Sequence, residues 1–138
     1  MDKPAFIDEL NQDLRSEYRS IVQYVQHIAS LKGAEYLSTI DELRQHVAQE
    51  LHHALILAEQ VDFLGGVPAT SVPEVRREED PRRALQMDLD LEREQLQRYR
   101  DRTAQANDLG LPDVADALRP LLEQTQEHVR DLQTVLGS

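Results

Sequence analysis

The chain contains no cysteine. Disulfides, zinc–thiolate sites and thiol catalysis are therefore excluded, although this absence does not fix the compartment. Glycine and proline are sparse, five and six among 138 residues, and most fall in two short zones. Long stretches are thus left without a helix breaker, which predicts an all-α protein. No segment approaches the ~20 apolar residues of a membrane span. The N-terminal MDKPAFIDELNQDL lacks the apolar run of a signal peptide. A soluble, cytoplasmic protein with no membrane partner is expected. Basic residues are also in deficit, 15 Lys and Arg against 26 Asp and Glu, for a net charge of -11. Such a surface repels phosphate backbones, so no nucleic-acid partner is expected.

What is present is periodicity. A chain of this length fits one domain with one core. Four segments carry a repeating four-three spacing. The first runs through Leu10, Leu14, Glu17, Ile21, Tyr24, Ile28 and Leu31. The second runs through Leu43, Val47, Glu50, Ala54, Leu57, Val61 and Leu64. Leu85, Leu89, Glu92, Leu96 and Tyr99 form the third; Val114, Leu118, Leu121, Thr125, His128, Leu132 and Val135 form the fourth. This repeat is the core seam of helices packed at a shallow angle in a bundle. The breaks predict helices over about 4–32, 35–64, 81–107 and 113–136, within a single domain 1–138. Gly33 marks the first turn, Pro81 fits the first turn of helix three, and Asp113 is placed to cap helix four. Pro120 removes a backbone hydrogen bond and should kink that helix near its start. The connection 65–80 can extend to about 50 Å, enough to cross a bundle of helices ~45 Å long. Two antiparallel hairpins joined by one long crossover are therefore expected.

Each seam is interrupted near its middle by polar residues: Glu17, Glu50 with His53 one turn on, Glu92, and Thr125 with His128. Glu17 and Glu50 are almost equidistant from Gly33, and Glu92 and Thr125 from the Asp108–Leu109 turn. In antiparallel hairpins, equal distance from the turn means equal height. Three carboxylates and two imidazoles then meet at one level of the core. A buried, unpaired carboxylate costs several kcal/mol, and no Lys or Arg lies on these seams beside the glutamates. Protons or metal cations remain as compensators, and oxygen with imidazole nitrogen suits iron, manganese or zinc. Among the other histidines, His52 and His27 are expected at the surface, and His46, one turn before Glu50, on an ambiguous flank: half-exposed or, alternatively, behind the ligands or at the entry to the site. Tyr24 lies on the Glu17 seam, within reach of a ligand.

These residues resemble the bacterioferritin branch of the ferritin-like superfamily, a ferritin-like four-helix bundle, over nearly the whole chain. The stretch from Leu10 through Glu17 and Tyr24 to Glu50 and His53 is similar to that family's first two helices. Asp88-Leu89-Asp90-Leu91-Glu92 is similar to its third, and His128 matches its second histidine. The resemblance implies Glu17 and Glu92 as terminal ligands, Glu50 as a bridge between two metals, His53 and His128 on one metal each, and Tyr24 close by. The implied cofactor is iron, in one or two ions, with iron(II) oxidation by dioxygen as the implied activity. Two departures modify this. Thr125 stands where the family has a second bridging glutamate, Glu123 and Glu127 lying off the seam, so one well-held and one labile ion are expected. Leu51 stands where the family has its haem methionine, so no haem is expected. With Ser138 soon after the fourth segment, a fifth helix and a 24-subunit cage are not expected. A second apolar stripe, Val22, Val25 and Ala29 with Leu51, Leu55 and Ala58, suggests an antiparallel homodimer through helices one and two. A non-catalytic, metal-stabilised bundle serving as a binding or scaffold module is the alternative function. A mini-ferritin that shields DNA fits less well, because such proteins build their site between subunits and often carry basic tails.

Overall fold

The computed structural model describes residues 1–137. Among these, the chain forms α1 (Lys3–Ser30), α2 (Leu37–Phe63, entered through a short 3-10 turn, Ala34–Tyr36), α3 (Pro81–Asp108) and α4 (Pro112–Leu136), with no strand. These helix ends differ from the expected 4–32, 35–64, 81–107 and 113–136 by at most two residues. The helix starts follow local chemistry. The Asp2 side chain accepts the Ala5 N–H at 2.9 Å, and Asp80 accepts that of Arg83 at 2.9 Å, with Pro81 filling the first helical position where no N–H is required. Asp113 does not cap α4. Pro112, with its backbone already in helical geometry, takes the first position and moves the cap to Leu111, whose side chain has no oxygen to offer. Asp113 lies in the first turn, where a negative charge still suits the helix dipole. The helix continues through Pro120, whose side chain is exposed. At the turns, Gly33 (φ 125°) and Gly110 (φ 72°) adopt backbone conformations that side chains disfavour.

The hairpins α1–α2 and α3–α4 each pack along their length, and α1 against α3 and α2 against α4 close the bundle. The crossover climbs α1. Asn11 brackets it through Val67 O (3.0 Å) and Ala69 N (2.8 Å), Tyr18 donates to Ala69 O (2.9 Å), and Arg15 donates to Ser71 (2.9 Å). These bonds tie an otherwise irregular segment to the bundle and satisfy part of its backbone.

The apolar core is in two parts. One, around Phe6, Leu10, Leu14, Leu57, Val61 and Leu118, fills the end where α2 gives way to the crossover. The other, around Leu43, Leu85, Leu89 and Leu132, fills the opposite end. The expected seams supply most of both. Val135 is the exception: it is exposed, and its neighbour Leu136 is buried in its place. Between the two parts lies a polar layer.

Charged residues also reach the flank of the core. Arg102 grips Asp13 with two hydrogen bonds, Nε–Oδ2 2.6 Å and Nη2–Oδ1 3.0 Å, and both residues are buried. Removing Arg102 takes both of these hydrogen bonds from Asp13 and leaves it the longer contact with Arg98 Nη1, 3.6 Å. Arg102→Leu is therefore expected to lower the unfolding free energy by about 3 kcal/mol, read as a shifted urea midpoint at constant slope. A loss below roughly 1 kcal/mol, the scale of an exposed pair, would mean that solvent reaches Asp13.

Candidate metal centre

The five side chains expected to converge do so. Glu17, Glu50, His53, Glu92 and His128 are all buried and occupy one layer. Donor atoms of Glu17, Glu50 and His53 lie within 4.8 Å of one another, as do those of Glu50, Glu92 and His128, so Glu50 belongs to both groups. His53 Nδ1 is 3.6 Å from Glu17 Oε1 and 3.5 Å from Glu50 Oε2. His128 Nδ1 is 3.1 Å from Glu50 Oε1 and 3.4 Å from Glu92 Oε1.

A pseudo-twofold exchange between the hairpins orients these groups. The second hairpin repeats the first 75 positions later, pairing Glu17 with Glu92, Tyr24 with Tyr99, Gln49 with Gln124 and His53 with His128. Each member serves the opposite half. Tyr24 donates to Glu92 Oε1 at 2.8 Å, and Tyr99 donates to Glu17 Oε1. His53 Nε2 meets Gln124 Oε1 at 2.7 Å, and His128 Nε2 meets Gln49 Oε1 at 2.6 Å. A glutamine carbonyl oxygen can only accept, so Nε2 carries the hydrogen and Nδ1 of each imidazole faces the carboxylates, the outer-partner arrangement that fixes a metal-binding histidine. The supports repeat as well: Asp13 is held by Arg102, and Asp88 accepts from Gln23 Nε2 at 2.8 Å and lies 2.8 Å from His27 Nδ1.

Several expectations need correcting. His27 is not at the surface; it is buried against Asp88. His46 is not half-exposed: its ring stacks on that of His128 at 4.0 Å, and its Nδ1 lies 3.3 Å from the Tyr24 hydroxyl. His52 is exposed as expected. Gln49, Gln124 and the role of Tyr99 were missed. The available signal was the seven-residue spacing from Glu17 to Tyr24 and from Glu92 to Tyr99, and the glutamine one residue before Glu50 and Thr125.

Thr125 occupies the place that symmetry gives to a counterpart of Glu50; its hydroxyl is buried and lacks a hydrogen-bond partner. Also without partners are Oε2 of Glu17, Glu50 and Glu92, and Nδ1 of His53. Acceptors so placed fit a cation. In the metal-free protein, protons take that part. Burial, then the charges of Glu17 and Glu92, push the Glu50 carboxyl well above the usual range. Burial would raise Glu92 too, but hydrogen bonds with Glu50, His128 and Tyr24 outweigh it and hold Glu92 at about 2. Burial opposes the charge on His53, yet the contact with Glu17 raises it. Both phenols are pushed far up by burial and then by their carboxylate partners, so they remain donors.

The chain is similar to known proteins along its length. A family model described as a ferritin-like domain matches residues 7–138. A bacterioferritin of Rhodobacter capsulatus is 28% identical over 132 residues, covering 95% of this chain and 82% of the relative. A DNA protection during starvation protein of Halobacterium salinarum is 33% identical over 128 residues; the match covers 88% of this chain but 58% of that relative's length. Among solved structures, a ferritin-like diiron-carboxylate protein of Bacillus anthracis superposes with a TM-score of 0.93 at 30% identity, over 99% of both chains. A dodecameric thioferritin of Bacteroides fragilis, described as bacterioferritin-related, gives 0.85 at 26% identity, over 99% of this chain and 87% of the other.

The raised Glu50 carboxyl has a stability consequence in the metal-free protein. The folded state keeps a proton that the unfolded chain releases near 4.5. The group's contribution is thus complete below that pH and lost as pH rises through the folded value. Glu50→Gln stays neutral throughout. At neutral pH and under chelation its thermal midpoint is expected several degrees above that of the parent, the gap closing on acidification below about 4.5. A lower midpoint at neutral pH would show that the ionised carboxylate is the stable form.

Proposed function

The chain belongs to the ferritin-like domain family, on its bacterioferritin-like branch, and from that premise we propose that the polar layer is an iron site whose ligands are Glu17, Glu50, His53, Glu92 and His128. The unpartnered oxygens of the three glutamates, facing imidazoles oriented by Gln124 and Gln49, carry this reading. The solved relative from Bacillus anthracis, named a diiron-carboxylate protein, supports the same reading. Glu17 and His53 would serve one ion and Glu92 and His128 the other, with Glu50 between them. Tyr24 and Tyr99 keep the outer carboxylates aimed inward. Manganese or zinc satisfies the same donors.

Iron(II), as the substrate here, would surrender electrons to dioxygen. The protein's part is to hold two ions close together and balance their charge as they oxidise. Thr125 bears on that step. With three carboxylates in place of four, the site neutralises less charge, so one ion is held well and the other loosely. The same residue favours the second reading, in which the metal stabilises the bundle without redox turnover. Haem is outside the proposal, since Leu51 is a hydrocarbon and is exposed. A net charge of -11 supports the absence of a nucleic-acid partner despite the DNA-protection relative.

A homodimer is part of the proposal. Val22, Val25, Leu51 and Leu55 are 43%, 56%, 55% and 54% exposed. They form one apolar stripe on α1 and α2, which a second copy would cover.

Stopped-flow absorbance after mixing with iron(II) in air tests the function. The protein is expected to oxidise iron faster than buffer, and Thr125→Glu to increase the rate and hold two ions where the parent holds one firmly. A parent rate equal to buffer would leave only the stabilising role, and unchanged stoichiometry in the variant would remove the account of Thr125. For assembly, sedimentation of Val25→Glu/Leu55→Glu is expected to give a smaller particle than the parent; equal masses would exclude the stripe as the interface.

A further inference from the structure

The internal repeat accounts for the central layer, and one cluster departs from it. Glu42, His46 and Asp131 stand where the matching positions of the other half carry Ala117, Leu121 and Ile56. The departure at His46 is costly: a buried imidazole replaces a core leucine. Glu42 and His46 lie on successive turns of α2, and Asp131 lies one turn beyond His128 on α4. His46 Nε2 is 3.1 Å from Asp131 Oδ2 and 3.7 Å from Glu42 Oε1. The His46 side chain is 2% exposed, whereas Glu42 and Asp131 are 40% and 39% exposed. Glu42 and Asp131 line a surface depression of about 240 Å³ with Ser38, Thr39, Thr134 and Val135.

Hydrogen-bond polarity indicates what this cluster takes. The Tyr24 hydroxyl has one proton, and its shorter contact, 2.8 Å, is to Glu92. At its longer contact, 3.3 Å, the phenol oxygen can only accept, so it is served when the His46 ring proton sits on Nδ1. With its hydrogen on Nδ1, a neutral His46 aims the Nε2 lone pair at two carboxylates that have nothing to donate. With the hydrogen on Nε2 instead, Asp131 Oδ2 receives it at 3.1 Å, but Nδ1 is left facing a phenol whose proton is committed to Glu92; a cation bound at Nε2 partners both nitrogens.

We infer that Glu42, His46 and Asp131 form a separate site for a divalent transition-metal cation at the mouth of the bundle. One imidazole nitrogen and two carboxylate oxygens suit iron(II), manganese(II) or zinc(II). The exposure of the carboxylates leaves room for water to complete the coordination. The site adjoins the core layer through the stacking of His46 on His128. Its residues are distinct from the core donors, so it does not depend on occupancy of the core.

Zinc is a suitable probe, being redox-inert. Anomalous diffraction from crystals of the full chain grown with stoichiometric zinc(II) is expected to place an ion between Glu42, His46 and Asp131. Calorimetric titration of Glu42→Gln/Asp131→Asn should bind one zinc fewer per chain than the parent, with the core peaks retained. His46→Leu, which copies the matching half and should fold readily, is expected to lose the same ion. No peak at this position in the parent, or an unchanged zinc count in both variants, would overturn the inference. A peak here with an empty core would uphold it while rejecting the core reading.

Discussion

Three glutamates, Glu17, Glu50 and Glu92, put their carboxylates into a layer from which solvent is excluded, and the rest of the molecule is arranged around that constraint. Ionised groups in such a place repel one another and have lost their hydration. The chain offers them no buried lysine or arginine in the layer. It offers two tyrosine hydroxyls, two imidazoles and space for cations. The carboxylate environments diverge accordingly. Glu50, between the other two, is driven toward the neutral form, whereas Glu92, with donors on several sides, is held ionised. A layer of this kind is tolerable with protons and better satisfied by metal, so metal binding and stability are linked quantities.

The hairpin repeat converts this constraint into geometry. Each tyrosine and each glutamine reaches across to the opposite half, so neither hairpin completes its own half of the site. Docking of the two hairpins and assembly of the site become one event. The Asp13–Arg102 and His27–Asp88 contacts repeat the exchange on the bundle's flank, and they lie on either side of the layer along α1. The apolar residues at both ends supply most of the driving force, and the polar bridges fix the register in which those ends pack. Where the repeat fails, chemistry has changed. Thr125 removes a carboxylate from the centre, and Glu42, His46 and Asp131 add donors at its mouth. If both clusters bind metal as proposed, the net effect is to move ligand capacity from the dry interior toward water.

Much of this was legible in the sequence. Seam periodicity, together with the scarcity of glycine and proline, was enough for four helices and a crossover, because burial of one apolar stripe per helix is a local demand written at 3.6-residue intervals. Equal distances from the turns placed Glu17, Glu50, Glu92 and Thr125 at one height, because antiparallel helices rise at a common rate, and His128 followed from its position one turn beyond Thr125. His53 followed from its position one turn beyond Glu50. Capping was less legible: Asp113 has the right chemistry, but Pro112 had already claimed the first helical position.

Tertiary structure decided whatever depends on the far side of a helix. His27 reads as a surface residue because it lies off the α1 seam, yet α3 passes over it with Asp88. His46 reads as a flank because one helix cannot show that His128 of another will stack upon it. Gln49 and Gln124 look like ordinary polar residues until each is seen to receive the imidazole of the opposite hairpin. The sequence by itself determined the helices, their heights and the identity of the central donors, since those follow from spacing along one chain. Which donor faces which, and which polar residues are sealed from water, was settled by packing between helices, because a side chain's partners across an interface depend on rotation and lateral placement that no single helix encodes.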